Sequence, residues 1–140
     1  MHQIPVAVAR AIIMDSQGRI LLLRRRPGSS GAGQWCLPGG KVDYGVTVTQ
    51  AMRDEIAEET GLTCHAAEFL FYQDTLPPAP GDMHCINFYF QCDVAGEVVL
   101  NDESTAHAWV LPAELTAYDI AFRNDEGIQR YLDAVNAHPE

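Results

Sequence analysis

The sequence predicts a mixed α+β domain in which helices flank a sheet. Three observations point there: several β-rich segments separated by turn residues, one strongly periodic helical stretch over residues 47–60, and an amphipathic pattern near the C-terminus. At 140 residues, 47% hydrophobic and 20% charged, the chain has the size of one domain spanning residues 1–140. Such a chain can bury about 68–70% of its unfolded surface without disulfide or metal staples.

Residues 4–13 are mostly apolar and β-rich, the pattern of a buried strand. Asp15 to Gly18 reads as a turn, and Ile20 to Arg26 as the returning strand of a hairpin. Residues 27–34 form a Gly/Ser-rich loop. Trp35 to Leu37 starts a short strand that Pro38, Gly39 and Gly40 should end, because proline lacks the ladder donor. Between Thr47 and Thr60, Val48, Ala51, Met52 and Ile56 recur at helical spacing, with Thr47 as N-cap and Gly61 as the residue just past the end. Phe69–Gln73, His84–Val94 and Ala106–Val110 read as strands, the second one central because it is long and aromatic. Residues 75–83 are a proline-rich loop, Gly96-Glu97 a turn, and Asp125–Ala137 an amphipathic helix carrying Ile128, Leu132 and Val135.

The formal net charge is −10. Its distribution is uneven, since the basic residues up to Lys41 face Asp15 alone and the acidic excess lies beyond. An acidic protein lacks the broad basic surface that nucleic acid polymers and anionic membranes require. Neither is expected as a partner. No stretch reaches the ~20 apolar residues of a membrane span, and residues 1–9 carry no basic, apolar leader pattern. Cys36, Cys64, Cys85 and Cys92 show neither CxxC spacing nor a dense framework, so reduced thiols and a cytoplasmic location are expected.

The chemistry concentrates in the long helix. At about 100° per residue, Glu55, Glu58 and Glu59 share an arc of roughly 100°, continuous with the apolar stripe of Val48, Ala51 and Met52. A solvated charged face is the ordinary explanation of such a run. Two terms oppose it: acids in a last helical turn meet the negative end of the macrodipole at ~0.3–1 kcal/mol each, and Asp54/Glu58 and Glu55/Glu59 are like-charged i,i+4 pairs. A divalent cation reverses both signs, and carboxylate oxygens suit Mg²⁺ or Mn²⁺.

The stretch from Gly39 to Gly45, followed by Glu55 to Leu62, resembles the box of the Nudix hydrolases, G-x5-E-x7-R-E-U-x-E-E-x-G-U with U apolar. The match runs from Gly40 to Leu62 with both framing glycines in place. It extends to the Gly-x-Trp-x-Leu-Pro-Gly-Gly entry at Gly33–Gly40, the preceding arginine-ended strands, and a later acidic loop leading to Trp109 and Pro112. The resemblance implies an α/β/α sandwich around a mixed β-sheet. It implies hydrolysis, with Mg²⁺ or Mn²⁺, of a nucleoside diphosphate linked to another moiety, in which water attacks phosphorus. By position, Gly39 would lend a backbone carbonyl to the metal, Glu58 and Glu59 would be the principal metal ligands, and Glu55 a further ligand or the base.

Two box positions depart from the pattern: Val46 stands where the family has glutamate and Asp54 where it has arginine. Arg53 is no simple substitute, lying about 160° from Glu55 around the helix. An alternative reading is therefore a catalytically impaired Nudix domain that binds a nucleotide as a sensor or scaffold. Among Arg24, Arg25 and Arg26, Arg25 is the positional match for a phosphate contact, and Lys41 a second substrate-binding candidate. Asp102 and Glu103 occupy the loop where relatives place a last ligand or base, and Glu103 is the candidate. His2, His65, His84, His107 and His138 lack metal-ligand spacing, so structural or surface roles are expected of them. Trp35, Tyr72, Phe88 and Tyr89 could stack on a base but read first as core. The expected partner is a small-molecule nucleotide, with a homodimer left open; which nucleotide is not legible, because variable loops make those contacts.

Overall fold

The computed structural model describes residues 3–137. Two sheets pack between two helices. The first is mixed, and consists of β4 (Gly39–Lys41), β1 (Val6–Ile13), β6 (Cys85–Ala95) and β5 (Thr63–Thr75) in that order. Within it β1 and β6 run parallel, and the other pairs are antiparallel. The second contains β3 (Trp35–Cys36), β2 (Ile20–Arg25) and β7 (Ser104–Val110), all antiparallel. A 3-10 turn at Pro112–Ala117 leads toward α2 (Asn124–Ala137).

The near-continuous apolar run of β1 follows from burial of both its faces. Ala9, Ala11 and Ile13 join Leu21, Leu23 and Phe90 under Met52 and Ile56 of α1 (Val48–Thr60). Ile12 points the other way, into a second core with Ile20, Leu22, Leu37, Tyr89 and Ile128 of α2. Helix, sheets and helix thus form the expected α/β/α sandwich.

α1 has the predicted bounds. Thr47 accepts a 3.1 Å hydrogen bond from the Gln50 N–H, and Gly61, at φ 71°, closes the helix with its N–H on the Ala57 carbonyl. The left-handed backbone there explains the glycine. β6 is an interior strand, as its length suggested.

Four expectations are corrected. β1 and β2 do not form a hairpin ladder; a single bridge between Met14 and Ile20 joins them, and β2 leaves for the second sheet. Both edges of β1 are already taken, by β4 and β6. The short strand does stop before Pro38, at Cys36, but Gly39 and Gly40, expected to help end it, open a new strand, β4, against β1. β5 is far longer than residues 69–73, its register carried by two irregularities along β6. The C-terminal helix begins one residue earlier, at Asn124. Among the described residues no helix is long and apolar enough to cross a membrane, and all four cysteines are free.

Candidate active site

The end of α1 meets β4 through one hydrogen bond. The Gly39 N–H donates to the Glu59 carboxylate at 3.0 Å, and Glu59 is only 6% exposed. Glu55, one turn earlier and half-buried, lies beside it. Glu103 comes in from the loop before β7, so that one carboxylate oxygen from each of Glu55, Glu59 and Glu103 falls within 4.8 Å of the others.

Two glycines make room for this. A Cβ on Gly39, whose φ is 151°, would stand 2.0 Å from the Ala9 carbonyl oxygen. One on Gly40 would stand 2.8 Å from the Glu55 carboxyl carbon. The first is required by the strand pairing and the second by the carboxylate.

Burial dominates the electrostatics. It pushes the Glu59 carboxyl up to about 8, against the opposing Gly39 N–H and with help from the neighbouring Glu55. Glu55 is also raised, by burial first and then by Glu58 and Glu103. Crowded carboxylates in a dry pocket hold protons unless a cation replaces them. Oxygen-only donors of this kind suit a hard divalent ion.

This cluster opens on a cleft of about 290 Å³ lined by Arg25, Arg26 and Lys41 as well as the acids and Asp43. Arg25, Gly39, Gly40 and Lys41 are shared with a neighbouring cavity of about 250 Å³ that extends to Arg10, Asn87 and Phe122. An acidic end and a cationic, partly apolar end are therefore continuous.

The structure brings together Glu55, Glu59, Glu103, Gly39, Arg25 and Lys41. Glu58 is exposed and outside the three-oxygen group, though its charge is felt by Glu55. Gly39 contributes its N–H to Glu59. Asp102 is exposed. Asp54 is exposed on α1 and accepts from Gln50 one turn back, whereas Arg53 donates to the Cys64 carbonyl at 2.6 Å. Arg53 therefore ties α1 to β5 and does not serve Glu55.

The four aromatic candidates are not in the cleft. Trp35 packs edge-on against Tyr118, Phe88 packs on the α1 core, Tyr72 is exposed and Tyr89 is fully buried. Tyr89 donates to Gln73 and accepts from Asn124. Of the histidines, His65 and His107 are exposed and His84 half-buried; His2 and His138 lie outside the described residues.

Sequence reasoning missed Arg10, Asp43 and Phe122. Phe122 and Arg123 both adopt positive φ, 61° and 56°, a conformation that costs a side-chain-bearing residue roughly 1–2 kcal/mol. Arg123 holds the turn by donating to the Asp74 carbonyl and pairing with Glu126. No local signal marks such a turn; an unpaired arginine inside the apolar β1 run was the one clue to Arg10.

Residues 4–131 match the NUDIX domain. A nudix hydrolase of Caenorhabditis elegans is 31% identical over 134 residues, which is 91% of this chain and 35% of that protein. The chain thus spans about a third of that relative's length. Nucleoside triphosphatase NudI of Escherichia coli O139:H28 is 37% identical over 97 residues, covering 63% of this chain and 69% of that one. The crystal structure of a MutT NUDIX hydrolase from Burkholderia pseudomallei superposes with a TM-score of 0.71 at 33% identity, over 77% of this chain and 84% of the other.

Proposed function

The chain belongs to the NUDIX domain family, and we propose that it hydrolyses a nucleoside diphosphate linked to another moiety, using Mg²⁺ or Mn²⁺ held by Glu55, Glu59 and Glu103. The observation that carries this reading is the convergence of those three carboxylates at the edge of a cleft lined by Arg25 and Lys41. An isolated acidic cluster would repel a diphosphate, and an isolated basic one would not hold the ion. The two side by side suit a substrate whose phosphates meet cations on both flanks.

Such an ion, when bound, supplies charge neutralisation at the phosphate oxygens and activation of water. Arg25 and Lys41 bind and orient the diphosphate. Gly39 fixes Glu59, and the packing of Met52 and Ile56 fixes the helix that presents Glu55 and Glu59. Glu103, exposed on its loop, would hold the ion through one carboxylate oxygen and with the other take the proton of the attacking water, as the new oxygen–phosphorus bond forms and the bridging bond breaks with its electron pair leaving on the departing oxygen. Glu58, exposed and outside the oxygen cluster, adds negative potential that Glu55 feels.

The test is turnover of a panel of nucleoside triphosphates, nucleotide sugars, ADP-ribose and dinucleotides, with Mg²⁺, with Mn²⁺ and with EDTA. Cleavage at a diphosphate bond that EDTA abolishes is expected for at least one class. No metal-dependent cleavage of any member would overturn the reading.

A stability measurement gives an independent check. Glu59 keeps its proton up to about pH 8 in the folded chain but loses it near its ordinary 4.5 when unfolded. In that window the folded state binds more protons, so metal-free stability falls as pH rises from about 4.5 to about 8. Metal competes with the proton, so its stabilising effect grows over the same range. The Tm increase on adding millimolar Mg²⁺ or Mn²⁺ is expected to be larger at about pH 8 than at about pH 5. An equal or absent increase would remove the metal from Glu59.

A further inference from the structure

Arg10 sits in the middle of β1, 7% exposed, and lines the inner cavity. One Nη donates to the Leu37 carbonyl at 3.0 Å, while its buried Nε has no hydrogen-bond partner. The ion pairs among the described residues join Arg19 to Asp15 and Arg123 to Glu126, and neither involves Arg10. Its charge is felt by Glu59, though no ion pair joins them, and a buried guanidinium with an unmet donor is rare in a finished core.

The surroundings say what is missing. The inner cavity is lined by three cations, Arg10, Arg25 and Lys41, and by no carboxylate among the described residues. Its other walls include Val8, Met83 and Phe122. The guanidinium carbons of Arg10 and Arg25 both lie over the Phe122 ring, 5.0 Å and 5.3 Å from its centroid. The strained backbone at Phe122 and Arg123 brings that ring into the cavity.

We propose that Arg10 is a specificity-determining residue that donates a hydrogen bond to a carbonyl oxygen on the nucleobase of the substrate, with Phe122 holding its guanidinium in place. The inference rests on the nucleotide reading given above. Two arguments favour a carbonyl over a further phosphate at this depth. A phosphate dianion drawn past the mouth to Arg10 would give up its hydration among apolar walls, whereas a carbonyl is satisfied by the one unmet Nε donor. In that nucleotide reading Arg25 and Lys41, which line both cavities at the shared mouth, bind the diphosphate. Guanine, cytosine and uracil each carry a carbonyl oxygen; adenine carries none and offers a donor only its ring nitrogens.

The experiment is calorimetric binding, with Mg²⁺, of the non-hydrolysable α,β-imido analogues of GTP, CTP, UTP and ATP to the full chain and to Arg10→Met and Arg10→Lys. At least one carbonyl-bearing analogue is expected to bind at least tenfold more tightly than the adenine analogue. Arg10→Met should erase that difference by weakening the carbonyl-bearing ligands and leave the adenine analogue within about threefold, and Arg10→Lys should keep part of the preference. Equal weakening of all four analogues together with loss of inorganic pyrophosphate binding would assign Arg10 to a phosphate and overturn the proposal. Absence of any base preference in the wild type would overturn it even if Arg10→Met failed to fold. Binding with base preference but no turnover of the hydrolysable substrates would defeat the hydrolase reading and leave Arg10 as assigned; turnover without preference would do the reverse.

Discussion

Glu59→Gln is expected to lower kcat by on the order of 10³-fold or more, since residues that position an ion and a water act as a unit. The fold should survive. A glutamine oxygen can still accept the Gly39 N–H, and the native carboxyl is already held largely protonated at neutral pH by its burial. Without metal the variant should therefore melt at or above the wild-type temperature near pH 8, where the wild type has to ionise a buried acid. With metal the order reverses, because the wild type gains Tm and the variant gains little. This crossing of two stability curves distinguishes a lost ligand from general damage. Turnover within a few-fold of wild type would falsify the assignment of Glu59.

Gly39→Ala carries the largest expected cost to the fold. The new methyl would sit 2.0 Å from the Ala9 carbonyl oxygen, a backbone atom in the β1–β4 ladder that cannot rotate aside, and at φ 151° the alanine is itself strained. Separating the strands breaks the register of Arg10 with Gly39 and removes the N–H that anchors Glu59. The loss should exceed ~4 kcal/mol, the range in which point substitutions are exceptional. For a chain of this length that corresponds to a Tm drop of more than ~10 °C, or no folded protein. The adjacent Gly40→Ala is the informative contrast, for the three atoms nearest its methyl all belong to the movable carboxylate end of Glu55. That variant is expected to fold within about 1–2 kcal/mol of wild type and to lose activity through a displaced carboxylate. Thermal melts and kcat on the two variants check both statements. Equal melting temperatures would show that β4 tolerates displacement from β1.

Local chemistry was enough to place α1. Its cap, its stripe of Val48, Ala51, Met52 and Ile56, and its terminal Gly61 are all settled within a few residues of one another, and so is the i,i+4 relation that sets Glu55 beside Glu59. The spacing of the box therefore set Glu55 and Glu59 on the face that meets β4, but it grouped with them Glu58, which is exposed. Arg25 and Glu103 were legible only as positions on elements whose ends were known.

What tertiary structure alone decided depends on pairings between distant segments. β1 and β2 read as a hairpin because the turn at Asp15–Gly18 is local, yet both edges of β1 are filled by β4 and β6, from far along the chain. Glu103 joins the oxygen cluster and Glu58 does not, because the first is carried in by the loop before β7 while the second turns outward on its own helix. Arg10 and Phe122 meet only when α2 folds back over β1. Sequence by itself determined the periodic helix, the carboxylate spacing and the family they resemble, since each is written in contacts of a few residues. The choice of strand neighbours, the third carboxylate and the cation-lined cavity were decided by long-range burial, in which each strand takes the partner that leaves the least apolar surface and the fewest backbone groups unpaired.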